Sequence, residues 1–69
     1  MFKTKLAEVM DAQGRRGVWL ARQLGVSEGT ITNWLQGHTT PNDLMKVRLS
    51  QLLGMSIEGL FYDPKYMED

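Results

Sequence analysis

The sequence predicts an all-α fold of five short helices. Apolar residues recur three and four positions apart along nearly the whole chain, and glycine stands where four of these recurrences end. No alternating pattern of the kind a half-buried strand needs competes with them. With 69 residues the chain is one domain near the lower limit for an independent core, since chains of ~60 residues bury only ~60% of their unfolded surface.

Phe2, Leu6, Val9 and Met10 mark a first helix of about three turns, stopped at Gly14. Leu20, Ala21 and Leu24 form one face of a second, ending at Gly25. Ser27 is placed to cap a third, whose inward face is Ile31, Trp34 and Leu35 and whose end is Gly37. Thr40-Pro41-Asn42-Asp43 reads as a cap, a proline at the first helical position and an acid in the first turn. The fourth helix then turns Met45, Leu49, Leu52 and Leu53 inward and stops at Gly54. Ser56 can cap a last short helix carrying Ile57, Leu60 and Phe61, before Asp63-Pro64 breaks the pattern. Residues 61–69 read as a C-terminal tail, with Lys65 to Asp69 loose or dependent on a partner.

Composition removes several classes of function. Without cysteine there is neither a disulfide framework nor a thiolate zinc site, which fits a reducing cytoplasm. No apolar run approaches a membrane span, and the mixed charges of MFKTKLAEVMDAQG are not those of a signal peptide. No phosphate loop, nucleophile motif or ligand cluster suggests an enzyme, and no cofactor or metal is expected. His38 is the only histidine, so a metal site around it is not expected either. The formal charge is zero, yet it is unevenly spread. Lys3, Lys5, Arg15, Arg16 and Arg22 outweigh Glu8 and Asp11 at the front, whereas Glu58, Asp63, Glu68 and Asp69 outweigh Lys65 at the back. A molecule with two poles can still be oriented by a polyanion.

Residues 17–36 are the most specific part of the chain. Ala21 permits close approach where the second and third helices cross, and Gly25 suits a turn position that needs a left-handed backbone. Val26 plugs the turn from inside, while Ile31 and Trp34 anchor the third helix on the second. These residue types at these offsets describe a helix-turn-helix. LARQLGVSEGTITNWLQG, followed by a proline and then RLSQLLGMSIEGLF, resembles the phage repressor and Cro-like helix-turn-helix family, also called the XRE family. The resemblance covers roughly residues 4–61, and LLGMSIEGLF supports it independently of the turn. It implies a five-helix, repressor-like domain of a bacterial or phage regulator that binds double-stranded DNA.

The resemblance also implies which residues meet DNA. Bases would be read by Glu28, Gly29, Thr32 and Asn33, with Ser27 and Thr30 at the backbone edge of that surface. Asn33 can pair bidentately with adenine and Glu28 can accept from the cytosine amino group, although Glu28 would equally stabilise the start of any helix. Gly29 weakens the helix but lets its axis approach the bases. Where the family has a phosphate-holding glutamine this chain has Gly17. The N–H groups of Gly17 and Val18 can still meet a phosphate, with Arg15 and Arg16 beside them. The loop after the third helix nominates Gln36, His38, Thr39, Thr40 and Asn42 for the other strand. The Leu20/Ala21/Leu24 face excludes Trp19, which leaves it either to cover part of the first helix or to present an aromatic to a partner.

Two functions are expected from these residues. One is a sequence-specific transcriptional regulator acting as a homodimer through Met55 to Tyr66, with no small-molecule ligand. The alternative is an antitoxin or protein-interaction module on the same scaffold, in which Trp19 and the Tyr62/Tyr66/Met67 tail grip another protein.

Overall fold

Helix starts in this protein are set by short polar side chains. In the computed structural model, which describes residues 2–66, five α-helices occur among the described residues. They are α1 (Lys5–Ala12), α2 (Gly17–Leu24), α3 (Glu28–Gln36), α4 (Asp43–Leu53) and α5 (Ile57–Phe61), followed by a 3-10 turn over Pro64–Tyr66. Thr4 Oγ1 accepts from Ala7 N, Ser27 Oγ from Thr30 N, Asn42 Oδ1 from Met45 N and Ser56 Oγ from Gly59 N. Each bond satisfies one of the N–H groups a helix leaves without a partner in its first turn. Only α2 begins differently: its cap residue, Arg16, makes no side-chain capping bond.

Three expectations need correction. Phe2 is outside α1 and exposed, because Thr4, with an extended backbone, caps the helix. The cap of α4 is Asn42, not Thr40; Pro41 stands before the cap and is buried. The segment after Pro64 is docked as far as Tyr66, whose hydroxyl donates to Glu8 Oε1 at 2.6 Å while Lys65 Nζ reaches the same oxygen at 2.9 Å. Met67 to Asp69, the remainder of that expected tail, lie outside the described residues.

Each helix gives the core one side chain that is almost wholly enclosed: Leu6, Leu20, Ile31, Leu49 and Leu60. Around them α2 packs on α3, α1 on α3 and α5, and α4 on α5. The carbonyl ends of three helices are tied down from a distance. Thr4 Oγ1 donates to Leu35 O of α3 at 2.8 Å, and Gln13 Nε2 to Leu53 O of α4 at 2.7 Å. Arg48 of α4 donates to Gln23 O and Leu24 O at the end of α2, at 3.0 and 3.4 Å. A short chain with a small core gains rigidity here from polar cross-ties.

Glu8 is the hub of the α1–α5 side. Its carboxylate also receives Lys5 Nζ at 3.0 Å, and Lys5 reaches Asp63 at 3.4 Å. The Tyr66 hydroxyl first, then the Lys65 and Lys5 ammonium groups, hold the Glu8 carboxyl down at about 2.

Candidate nucleic-acid interface

The turn between α2 and α3 places the whole surface. Gly25 ends α2 with φ of 70°, where a Cβ would strain the backbone, and Val26 N donates back to Ala21 O at 3.1 Å. Ala21 is buried in the core and Val26 packs against it. Ile31 and Trp34 then turn inward, which leaves Glu28, Gly29, Thr32, Asn33 and Gln36 on the exposed side of α3. The four residues expected to read bases therefore share one face, at helical spacing.

Local bonds set what each can offer. Thr32 is exposed and its Oγ1 donates to Glu28 O at 3.0 Å, so its hydroxyl proton is engaged. Ser27 Oγ and Thr30 Oγ1 are paired at 2.9 Å at the start of the helix. A Cβ built on Gly29 would find only Ser27 Oγ, at 3.8 Å, which is ordinary contact. No packing demand of the described residues accounts for glycine there. Gly59 is the contrast: a Cβ would meet Ser56 Oγ at 3.1 Å and the Met55 methyl at 3.3 Å, so those side chains would have to give by a few tenths of an ångström.

The start of α2 lies beside α3. A Cβ on Gly17 would sit 3.4 Å from Ile31 Cγ2, and Val18 is exposed next to it. Because no side chain caps this helix, its first N–H groups are open to an acceptor from outside. Arg15 and Arg16 flank that opening, both exposed, and neither joins an ion pair among the described residues. Trp19, which the sequence left unassigned, packs partly into the core and carries the Arg15 guanidinium over its ring, 4.4 Å from the centroid.

Gln36, the last residue of α3, and His38, Thr39, Thr40 and Asn42 beyond it are all exposed, so Gln36 belongs to the helix and not to the loop expected to hold it. Gln36 Oε1 and His38 Nε2 are 3.1 Å apart. Asn42 commits one lone pair of its side-chain oxygen to the α4 cap, so its amide N–H groups are its side-chain donors for another contact. Two apolar residues missed in the sequence stand out on the outer side of α4: Leu44 is 64% exposed and Val47 42%. In the expected dimer segment, Met55 and Phe61 pack against the core and Tyr62 is left open, its hydroxyl accepting from Lys46 Nζ at 3.1 Å. Among the described residues no helix is long and apolar enough to cross a membrane.

A pair of short helices joined through Gly25, with the second helix exposing a polar face, is the architecture of a helix-turn-helix protein. The family model described as helix-turn-helix matches residues 6–60, and the chain belongs to this family, in its XRE-type, Cro-like branch. It is also similar to the crystal structure of a candidate DNA-binding protein from Bacteroides fragilis. The two are 32% identical with a TM-score of 0.78, over 87% of this chain and 97% of that one. Among curated proteins there is no significant match.

Proposed function

We propose that this protein is a sequence-specific regulator of transcription that binds double-stranded DNA, with α3 in the major groove. The observation that carries this reading is the α3 surface. Every apolar side chain of that helix is committed inward or partly so, and Glu28, Gly29, Thr32 and Asn33 are left as an unobstructed polar strip. Asn33 reads adenine, Glu28 accepts from cytosine, and Gly29 admits the groove edge. Arg15, Arg16 and the open N–H groups of Gly17 and Val18 hold one phosphate strand. Ser27, Thr30, Gln36 at the end of α3 and the residues beyond it, His38, Thr39, Thr40 and Asn42, line the remaining backbone contacts. The likeness to the Bacteroides fragilis protein, itself a candidate for DNA binding, supports the same class of partner. The setting that follows from such a partner is the cytoplasm of a bacterium, whether the gene is the host's or a phage's.

The protein acts as a homodimer on a two-fold operator, because one short helix reads too few base pairs to specify a site. Its interface uses the C-terminal part, Met55 to Tyr66, through Tyr62, together with Leu44 and Val47 of the adjoining α4. These exposed apolar side chains are also what favours the second reading, a module that grips another protein in the manner of an antitoxin.

Selection of binding sites from random duplexes tests the first reading. It expects enrichment of a palindrome with half-sites about one turn, ~34 Å, apart. Sedimentation then expects two chains on the shortest tight-binding duplex, falling to one when Leu44 and Val47 are replaced by Glu. Failure to enrich any sequence, with no retention on random duplex at low salt, would give first place to the protein-binding module.

A further inference from the structure

Arg15 and Trp19 form an arrangement that neither the core nor the base-reading face explains. The guanidinium carbon lies 4.4 Å from the Trp19 centroid, and Trp19 is itself wedged against the core. The backbone beneath is fixed as well, since Arg15 N donates to Met10 O at 2.8 Å and α2 begins two residues later. A planar guanidinium laid on an aromatic ring uses its face and keeps its N–H edge free. Arg15 has no carboxylate partner among the described residues. Arg15 therefore stands, unpaired, two residues before α2, the one α-helix among the described residues whose start no side chain caps.

We infer that Trp19 is a positioning residue, which holds the Arg15 guanidinium set for a phosphate before DNA arrives. The inference rests on the DNA-binding reading above. An arginine free in solvent must give up rotamer freedom to grip a phosphate; one already held by a ring gives up less. Trp19 touches no base in this arrangement and acts only through Arg15.

The test measures retention on a random-sequence duplex at low salt for wild type, Trp19→Leu, Trp19→Phe, Arg15→Ala and the double variant Arg15→Ala/Trp19→Leu. Trp19→Leu should weaken binding about three- to fivefold, the range of an exposed cation–aromatic contact, and Trp19→Phe should recover most of that loss. In the Arg15→Ala background Trp19→Leu should cost nothing further. Proton spectra of the free wild-type protein supply a second readout that needs no variant to fold: the Arg15 δ-methylene signals should be shifted upfield by the indole ring. An equal loss from Trp19→Leu with arginine or alanine at position 15 would overturn the inference, because Trp19 would then act by itself. Unshifted Arg15 signals would overturn it too. If wild type binds no duplex while the upfield shift is present, the DNA-binding reading is what fails, and the role given to the stack fails with it.

Discussion

Replacing Gly29 by alanine separates stability from recognition. The new methyl would have Ser27 Oγ as its nearest neighbour at 3.8 Å, so nothing has to move to receive it. Glycine in a helix costs ~0.5–1 kcal/mol relative to alanine, and Gly29 is the second residue of α3, which puts the gain at the low end, ~0.5 kcal/mol. For a domain of this size that is a rise in Tm of roughly 2–4 °C. Binding should move the other way. A methyl forced into a packed contact costs ~1–3 kcal/mol, which is a loss of roughly 5- to 150-fold in affinity, or a changed base preference where the edge can be avoided. Thermal melts and selection of random duplexes on the same two proteins give both numbers. A lower Tm would mean that the space beside Gly29 is not open. A higher Tm with unchanged affinity and preferred site would mean that α3 does not approach bases at this point.

The other predictions concern anchoring, reading and stability. Changing Arg15 and Arg16 together to Ala should weaken specific and random duplexes alike and flatten the dependence of log affinity on log salt by up to ~2 units. Asn33→Ala should cost ~1–3 kcal/mol against the preferred base and relax selection at that one operator position, measured by competition between duplexes. Arg48→Ala removes two bonds to the end of α2 and should lower stability by about 1 kcal/mol in urea melts, with binding specificity unchanged. Glu8 is held at about 2, below its usual 4.5, so its stabilisation is full above pH 4.5 and disappears as pH falls towards 2. Glu8→Gln should remove that part of the acid dependence, seen as a flatter plot of Tm against pH than wild type gives.

Residues that act on near neighbours in the chain are readable from the sequence. Ser27, Ser56 and Gly25 do what their spacing predicts, because a cap or a left-handed turn is decided within four or five residues. Spacing alone starts α4 too early: two capping side chains flank Pro41, and Asn42 is the one whose oxygen reaches Met45 N. Arg48 and Trp19 are opaque for a different reason. Arg48 meets residues 24 and 25 positions earlier, and the position of Trp19 against the core depends on how α2 settles in the bundle. No local pattern carries that information. The docking of Tyr66 on Glu8 spans 58 positions and is equally out of reach. The α3 face is legible because helical spacing alone separates Ile31 and Trp34 from Glu28, Gly29, Thr32 and Asn33.

A chain of zero net charge is an odd partner for a polyanion until its charges are paired off. Glu8 and Asp63 are engaged by Lys5 and Lys65 on the α1–α5 side, so two acids and two bases cancel within a few ångströms of each other. Arg15 and Arg16 stand in no such pair among the described residues, and they flank the uncapped start of α2. At a Debye length of about 8 Å a phosphate responds to the charges beside it, and remote acids are screened. The sum over the sequence therefore says little about binding. What matters is that the cations nearest the proposed strand stand in no ion pair among the described residues, whereas two of the eight acidic residues, Glu8 and Asp63, are already paired on the α1–α5 side. Undoing that arrangement should be felt on DNA only where the arginines are. Loss of Glu8 should change acid stability and leave the salt slope alone, and loss of Arg15 and Arg16 should change the slope.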